Sequence, residues 1–176
     1  WAFVTFESLP TVPLLIIVFI AGCAAGGALG LLAGVLKAYF HVDEIITTVM
    51  TNYIVAYMLA LILSGPWKEA GSVYRHTPAL PDFVKSPIIV PGTRLNLGFI
   101  LALLAAGLFY YLLKKTPLGY EIRALGSNPM ASRFKGIAVS RTMITTLFIS
   151  GAVAGMAGMI ELFGSQYRIR MDLSTG

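Results

Sequence analysis

The sequence predicts an all-α polytopic membrane protein with about four transmembrane helices. Three observations predict it. The 176-residue chain is 57% hydrophobic, with a mean hydropathy of +0.79. Its charged share is 12%, about half the roughly 25% of a soluble domain. The charges are also segregated. None falls within Ser8–Leu36, Ile45–Trp67, Leu95–Leu113 or Thr142–Ile160. Each run reaches the roughly 18–20 residues that cross about 30 Å of hydrocarbon as a helix. Helices follow because lipid offers no partner for an open backbone N–H. The competing picture, buried helices of a large soluble protein, requires four such runs to be enclosed by one short chain.

The first span is expected at about 13–36. Gly22, Gly26, Gly30 and Gly34 recur along one face of it. Bare backbone on one face lets a neighbouring helix approach closely, so these glycines predict a packing surface. A pore lined by exposed backbone is the sharper alternative. A short turn, Lys37 to Glu44, should leave spans one and two as antiparallel neighbours. Asp43 and Glu44 suit the positive end of the next helix dipole.

The second span, about 43–63, ends at Gly65-Pro66. Glu44, Thr47, Thr48, Thr51 and Asn52 follow i, i+3, i+4, i+7, i+8 spacing and share one polar face. Lipid rejects such a face. It must bond to other helices or line a translocation path. The loop at 65–94 carries Pro66, Pro78, Pro81, Pro87 and Pro91, which argues for an irregular solvent-side cap.

The third span is expected at about 96–113 and the fourth at about 142–163, with Gly151, Gly155 and Gly158 as a second small-residue face. Glu161 near the end of the fourth belongs at the interface or toward the bundle interior. Between these spans lie Lys114, Lys115, Arg123, Arg133, Lys135 and Arg141 against one acid, Glu121. Basic residues close to span ends mark loop 114–141 as cytoplasmic and, by alternation, loop 65–94 as extracytoplasmic. The net charge of +5 needs no nucleic acid, since anionic lipid headgroups and the positive-inside bias suffice.

His41 and His76 lie in separate loops without partners at ligand spacing, no phosphate-binding glycine loop follows a strand, and no metal, cofactor or catalytic set is expected. Cys23 stands alone inside the first apolar run and reads as a packing residue. The chain starts at Trp1 with no basic stretch before that run, so a signal peptide is not expected. The expectation is a single transmembrane domain over 1–176 that is a piece of a longer protein.

The basic loop has its own pattern. Pro117 and Pro129 introduce two short amphipathic helices, over about 118–135, and Gly136 should end the second. Such helices either dock into a partner's groove or lie on the membrane surface.

Residues 116–137 read TPLGYEIRALGSNPMASRFKGI. They resemble the cytoplasmic coupling loop of ABC-importer permeases of the branched-chain amino acid, ribose and nucleoside superfamily. The matching positions are Gly119, Arg123, Ala124, Gly126, Asn128, Pro129, Ala131, Arg133, Phe134, Gly136 and Ile137. Ser132 stands where the family often has Ala, and Phe134 where Tyr is common. Val42–Ile54 and Ala154–Glu161 are similar to two further family segments, and the nucleoside or simple-sugar subgroup looks nearest.

The resemblance implies a transport subunit, not an enzyme, in a bacterial-type plasma (inner) membrane. It would form the solute path for nucleosides or simple sugars. Its partners would be a cytoplasmic ABC ATPase acting through 116–137, a second permease subunit and an extracytoplasmic solute-binding protein. The resemblance implies that the family's N- and C-terminal spans lie outside this stretch of sequence. The alternatives are a channel or secondary transporter without an ATPase, or a membrane-embedded enzyme built on the polar face from Glu44 to Asn52.

Overall fold

The computed structural model describes residues 11–65, 77 and 97–166. Among them every regular element is helical. In chain order they are α1 (Thr11–Phe40), α2 (Glu44–Ser64), α3 (Leu97–Lys115), α4 (Pro117–Ser127), α5 (Pro129–Phe134) and α6 (Val139–Glu161), which runs into a π-helical turn, Leu162–Gln166. Four stretches are long and apolar enough to cross a bilayer: Leu15–Phe40, Glu44–Ser64, Gly98–Lys115 and Val139–Gly164. The loop expected at 65–94 lies outside the described residues except for Gly65 and Thr77.

The centre of the fold is the antiparallel pair α1–α6. Gly22 lies against Met159, Gly26 against Gly151 and Gly155, Gly30 against Leu147 and Gly151, and Gly34 against Ile144. Each step of four residues along α1 meets a step of three or four back along α6, so the two small-residue faces stay in register. A Cβ on Gly26 would stand 2.9 Å from the Cα of Gly155, and one on Gly34 would stand 3.0 Å from the Cα of Ile144. The backbones touch where side chains would otherwise hold them apart. Gly158 meets nothing within 4 Å and takes no part in this seam.

The main partner of α1 is thus α6 rather than its chain neighbour α2. The turn between α1 and α2 is only 41–43, shorter than the expected 37–44, because α1 continues through Lys37 to Phe40. A cation in the last helical turn suits the dipole there, and Lys37 pairs with Glu44 across the turn. His41 takes a left-handed conformation at φ 57 to reverse the chain. Asp43 then caps α2, its carboxylate accepting from the Ile45 N–H at 2.8 Å. Beyond this corner α2 diverges from α1, whose close backbone contacts run along α6 instead.

The buried apolar core of the described residues is only Ala33, Leu63 and Leu125. Large apolar side chains instead face outward: Ile45 is 67% exposed, Leu61 74% and Leu103 66%. In water this would be a large unmet hydrophobic surface. In hydrocarbon it is the surface that belongs there, and the chain is a multi-pass membrane protein. Since Gly34 lies beside Ile144, the 41–43 turn and the 116–138 segment share one end of the bundle.

Candidate functional site

Two regions could act: the short-helix segment at that end, and the polar face of α2. The segment is fixed at each joint by a local device. Thr116 donates its hydroxyl to the Leu112 carbonyl at 2.6 Å and accepts from the Gly119 N–H at 3.1 Å. It therefore ends α3 and caps α4 at once. Pro117 follows at the first helical turn, where a missing N–H costs nothing. Gly119 lies against the Leu112 and Leu113 backbone, and a Cβ there would stand 2.6 Å from the Leu113 Cα. The fold-back from α3 to α4 needs this glycine.

Asn128 closes α4, its N–H reaching the Ala124 carbonyl at 3.1 Å. Its side chain then caps α5 by accepting from the Ala131 N–H at 3.0 Å, and Pro129 starts that helix. Gly136, at φ +80, ends it. The Gly136 N–H bonds the Arg133 carbonyl and the Ile137 N–H bonds the Ser132 carbonyl, each at 3.1 Å. These are the two bonds of a Schellman ending, which places its C′ residue in the left-handed region where glycine fits best.

The unit is anchored inward by Leu125 and Ser132, both buried, and by Glu121, whose Oε2 accepts from the Thr142 hydroxyl at 3.0 Å. Its outward face carries Arg123, Gly126, Ala131 and Arg133, all exposed, with Met130 at 65% and Phe134 at 87% exposure. Ala124 is half-buried. Gly126 meets nothing within 4 Å. Behind the unit, a cavity of about 290 Å³ lies between α3, α4 and α6, lined by Phe109, Ile122 and Val153 among others.

The polar face of α2 divides. Glu44 is engaged by Lys37. Thr47 is buried and donates to the Asp43 carbonyl at 3.0 Å. Asn52 is exposed. Thr48 and Thr51 line a groove of about 430 Å³ whose other walls are α1, at Gly26 and Gly30, and α6, at Ser150 and Gly151. Glu161, at the last residue of α6, is half-buried. Among the described residues no three His, Cys, Asp or Glu side chains converge.

The family model described as branched-chain amino acid transport system / permease component matches residues 2–176. The chain belongs to this family. It is 37% identical over 150 residues to the guanosine ABC transporter permease protein NupP of Bacillus subtilis, covering 83% of this chain and 42% of that protein. It is 29% identical over 174 residues to the nucleoside ABC transporter permease protein NupB of Lactococcus lactis, covering 93% and 47%. It is 28% identical over 156 residues to the galactose/methyl galactoside import permease protein MglC of Escherichia coli, covering 89% and 46%. The chain spans about half the length of the curated relatives it matches. No solved structure matches it.

Within this family member, sequence reasoning missed three residues. The Thr142–Glu121 bond joins positions 21 apart, too far for any local pattern. The signal was available, since Glu121 is the lone acid in a basic loop. Thr116 announced itself only as the residue before a proline. Ser150 follows Thr142 and Thr146 at four-residue spacing on the same helix, a hydroxyl series that was legible but not read.

Proposed function

We propose that the chain is part of the transmembrane subunit of an ABC-type importer that forms the uptake path for nucleosides or simple sugars. The observation that carries this is the α4–α5 unit. It is capped at every joint and tied to α6 through Thr142, yet it presents Phe134, Met130, Arg123 and Arg133 outward at the end of the bundle where the polar chain leaves the membrane. Exposed apolar residues flanked by arginines on short helices suit insertion into a groove on a partner. The guanosine, nucleoside and galactose permeases among the relatives support the solute class.

The partner at this face is a cytoplasmic ABC ATPase, which hydrolyses the ATP; this chain hydrolyses none. Movement of the docked unit passes through α4 to the first turn of α6, and from there to α1 along the glycine seam. A second permease subunit faces this one across the path, and an extracytoplasmic solute-binding protein delivers solute to the 65–94 side. The protein sits in a bacterial-type inner membrane with loop 114–141 in the cytoplasm.

Impermeant thiol reagents applied to spheroplasts and to inside-out vesicles test this arrangement. A cysteine replacing Lys135 should react only in inside-out vesicles and be shielded by the ATPase. Reaction in intact spheroplasts would overturn it.

A further inference from the structure

A serine or threonine hydroxyl inside a helix ordinarily turns back to the carbonyl four residues earlier. Thr47, Thr48, Ser64, Thr145 and Thr146 do so here, at 2.7–3.0 Å. Thr51 and Ser150 do not. Neither hydroxyl has a hydrogen bond among the described residues, although both lie within membrane-crossing helices. These two hydroxyls come from different helices, α2 and α6, and line the same groove, where Thr51 is half-buried and Ser150 is exposed and also borders the cavity between α3, α4 and α6.

The groove's remaining chemistry narrows what fits. Thr48 also lines it, and its O–H is spent on the Glu44 carbonyl at 2.8 Å, so it offers only an acceptor. Among the described residues no charged side chain lines the groove. An anion or cation would lose its hydration there without a counter-charge. A lipid chain would leave both hydroxyls unpaired. Gly26, Gly30 and Gly151 border the groove with backbone alone, along the seam between α1 and α6. The volume of about 430 Å³ falls in the range of about 300–1,000 Å³ usual for small-molecule sites.

The geometry points to this groove as a subsite for a neutral, polyhydroxylated ring, the ribose of a nucleoside or a hexose. Thr51 and Ser150 donate to ring hydroxyls and Thr48 accepts from one. The inference rests on the importer reading and adds the residues that hold the solute and the part of it they read.

The test uses the full-length subunit assembled with its ATPase and binding protein in proteoliposomes. The probes are labelled guanosine, D-galactose and 2′,3′-dideoxyguanosine, which lacks both secondary ribose hydroxyls. Thr51→Val and Ser150→Ala keep most of the side-chain volume and remove the hydroxyl. Each should raise KM for guanosine or galactose about three- to tenfold, the worth of one neutral hydrogen bond, and leave dideoxyguanosine within about twofold. Thr51→Ser should retain wild-type KM, and so should Thr145→Val, whose hydroxyl bonds its own helix. Equal shifts for guanosine and its dideoxy form, or no shift for either, overturn the subsite while leaving the importer reading intact. Wild-type proteoliposomes that take up no nucleoside or sugar with ATP contradict the importer reading itself. Should the Val and Ala variants fail to assemble, alkylation of Ser150→Cys in a Cys23→Ala background decides the matter. Slowing by galactose supports the subsite, and an unchanged rate overturns it.

Discussion

The hydroxyl of Thr142 donates to the Glu121 carboxylate at 3.0 Å and so joins the first turn of α6 to the middle of α4. Thr142 is buried, so removal of either partner strands a polar group at the joint. A hydrogen bond to a charged group is worth about 1.5–3 kcal/mol. Thr142→Val and Glu121→Ala should each lower the melting temperature of the purified complex and reduce solute moved per ATP several-fold. Thr142→Ser should do neither. Unchanged transport stoichiometry in both disruptive variants would remove this bond from the route of coupling.

The glycine seam makes a graded prediction. Gly26→Val and Gly30→Val drive a side chain into the backbone of α6, and overpacking of this kind costs about 1–3 kcal/mol. Gly107→Ala and Gly158→Ala meet open space and should be tolerated. Thermal stability of the four variants in detergent should separate them into two pairs. Equal changes in all four would show that contact along the seam does not govern these positions, since helix propensity alone favours every one of these replacements.

Gly136 is held at φ +80 with open space around it. An alanine there meets a conformational cost of about 1–2 kcal/mol without any clash. Gly136→Ala should loosen the end of α5 and raise proteolytic cleavage near Lys135, while Gly136→Asn should sit between alanine and wild type. Cleavage unchanged in Gly136→Ala would mean that the Schellman ending does not hold this joint.

Much of this architecture is legible in the sequence, for physical reasons that differ by element. The four spans are readable because hydrocarbon tolerates so few charges, and each charge-free run became a helix. The joints at Pro117, Pro129 and Gly136 are readable because helix starts tolerate proline and left-handed endings favour glycine, whereas the cap at Asn128 emerges only in the structure. Which spans pair is less readable. Loop length favours α1 beside α2, but the closest partner of α1 is α6, because two glycine faces meet there in register. The polar face of α2 is visible from spacing, yet spacing does not say that Glu44 is spent on Lys37, or that only Thr48 and Thr51 reach the groove. Ser150 and Thr142 depend on helices brought together from far apart in the chain, so the lone acid Glu121 hints that a partner exists but local pattern does not say which residue it is.

The outward face of α4–α5 yields a prediction of its own. Arg123→Glu and Arg133→Glu change exposed charges that make no ion pair among the described residues, so helix insertion and solubilised stability should stay at wild-type levels. ATP hydrolysis by the assembled complex should continue while uptake falls at least tenfold. A bulky side chain at Gly126 should act in the same way. Loss of membrane insertion in these variants would assign the arginines to folding instead.

The most direct test of the central claim is initial uptake of labelled guanosine into proteoliposomes holding the full-length subunit, with and without its ATPase. Uptake should occur only when ATPase, binding protein and ATP are all present, and should be lost when the 116–137 segment is replaced by a flexible linker. Guanosine entry that continues without the ATPase would contradict that claim.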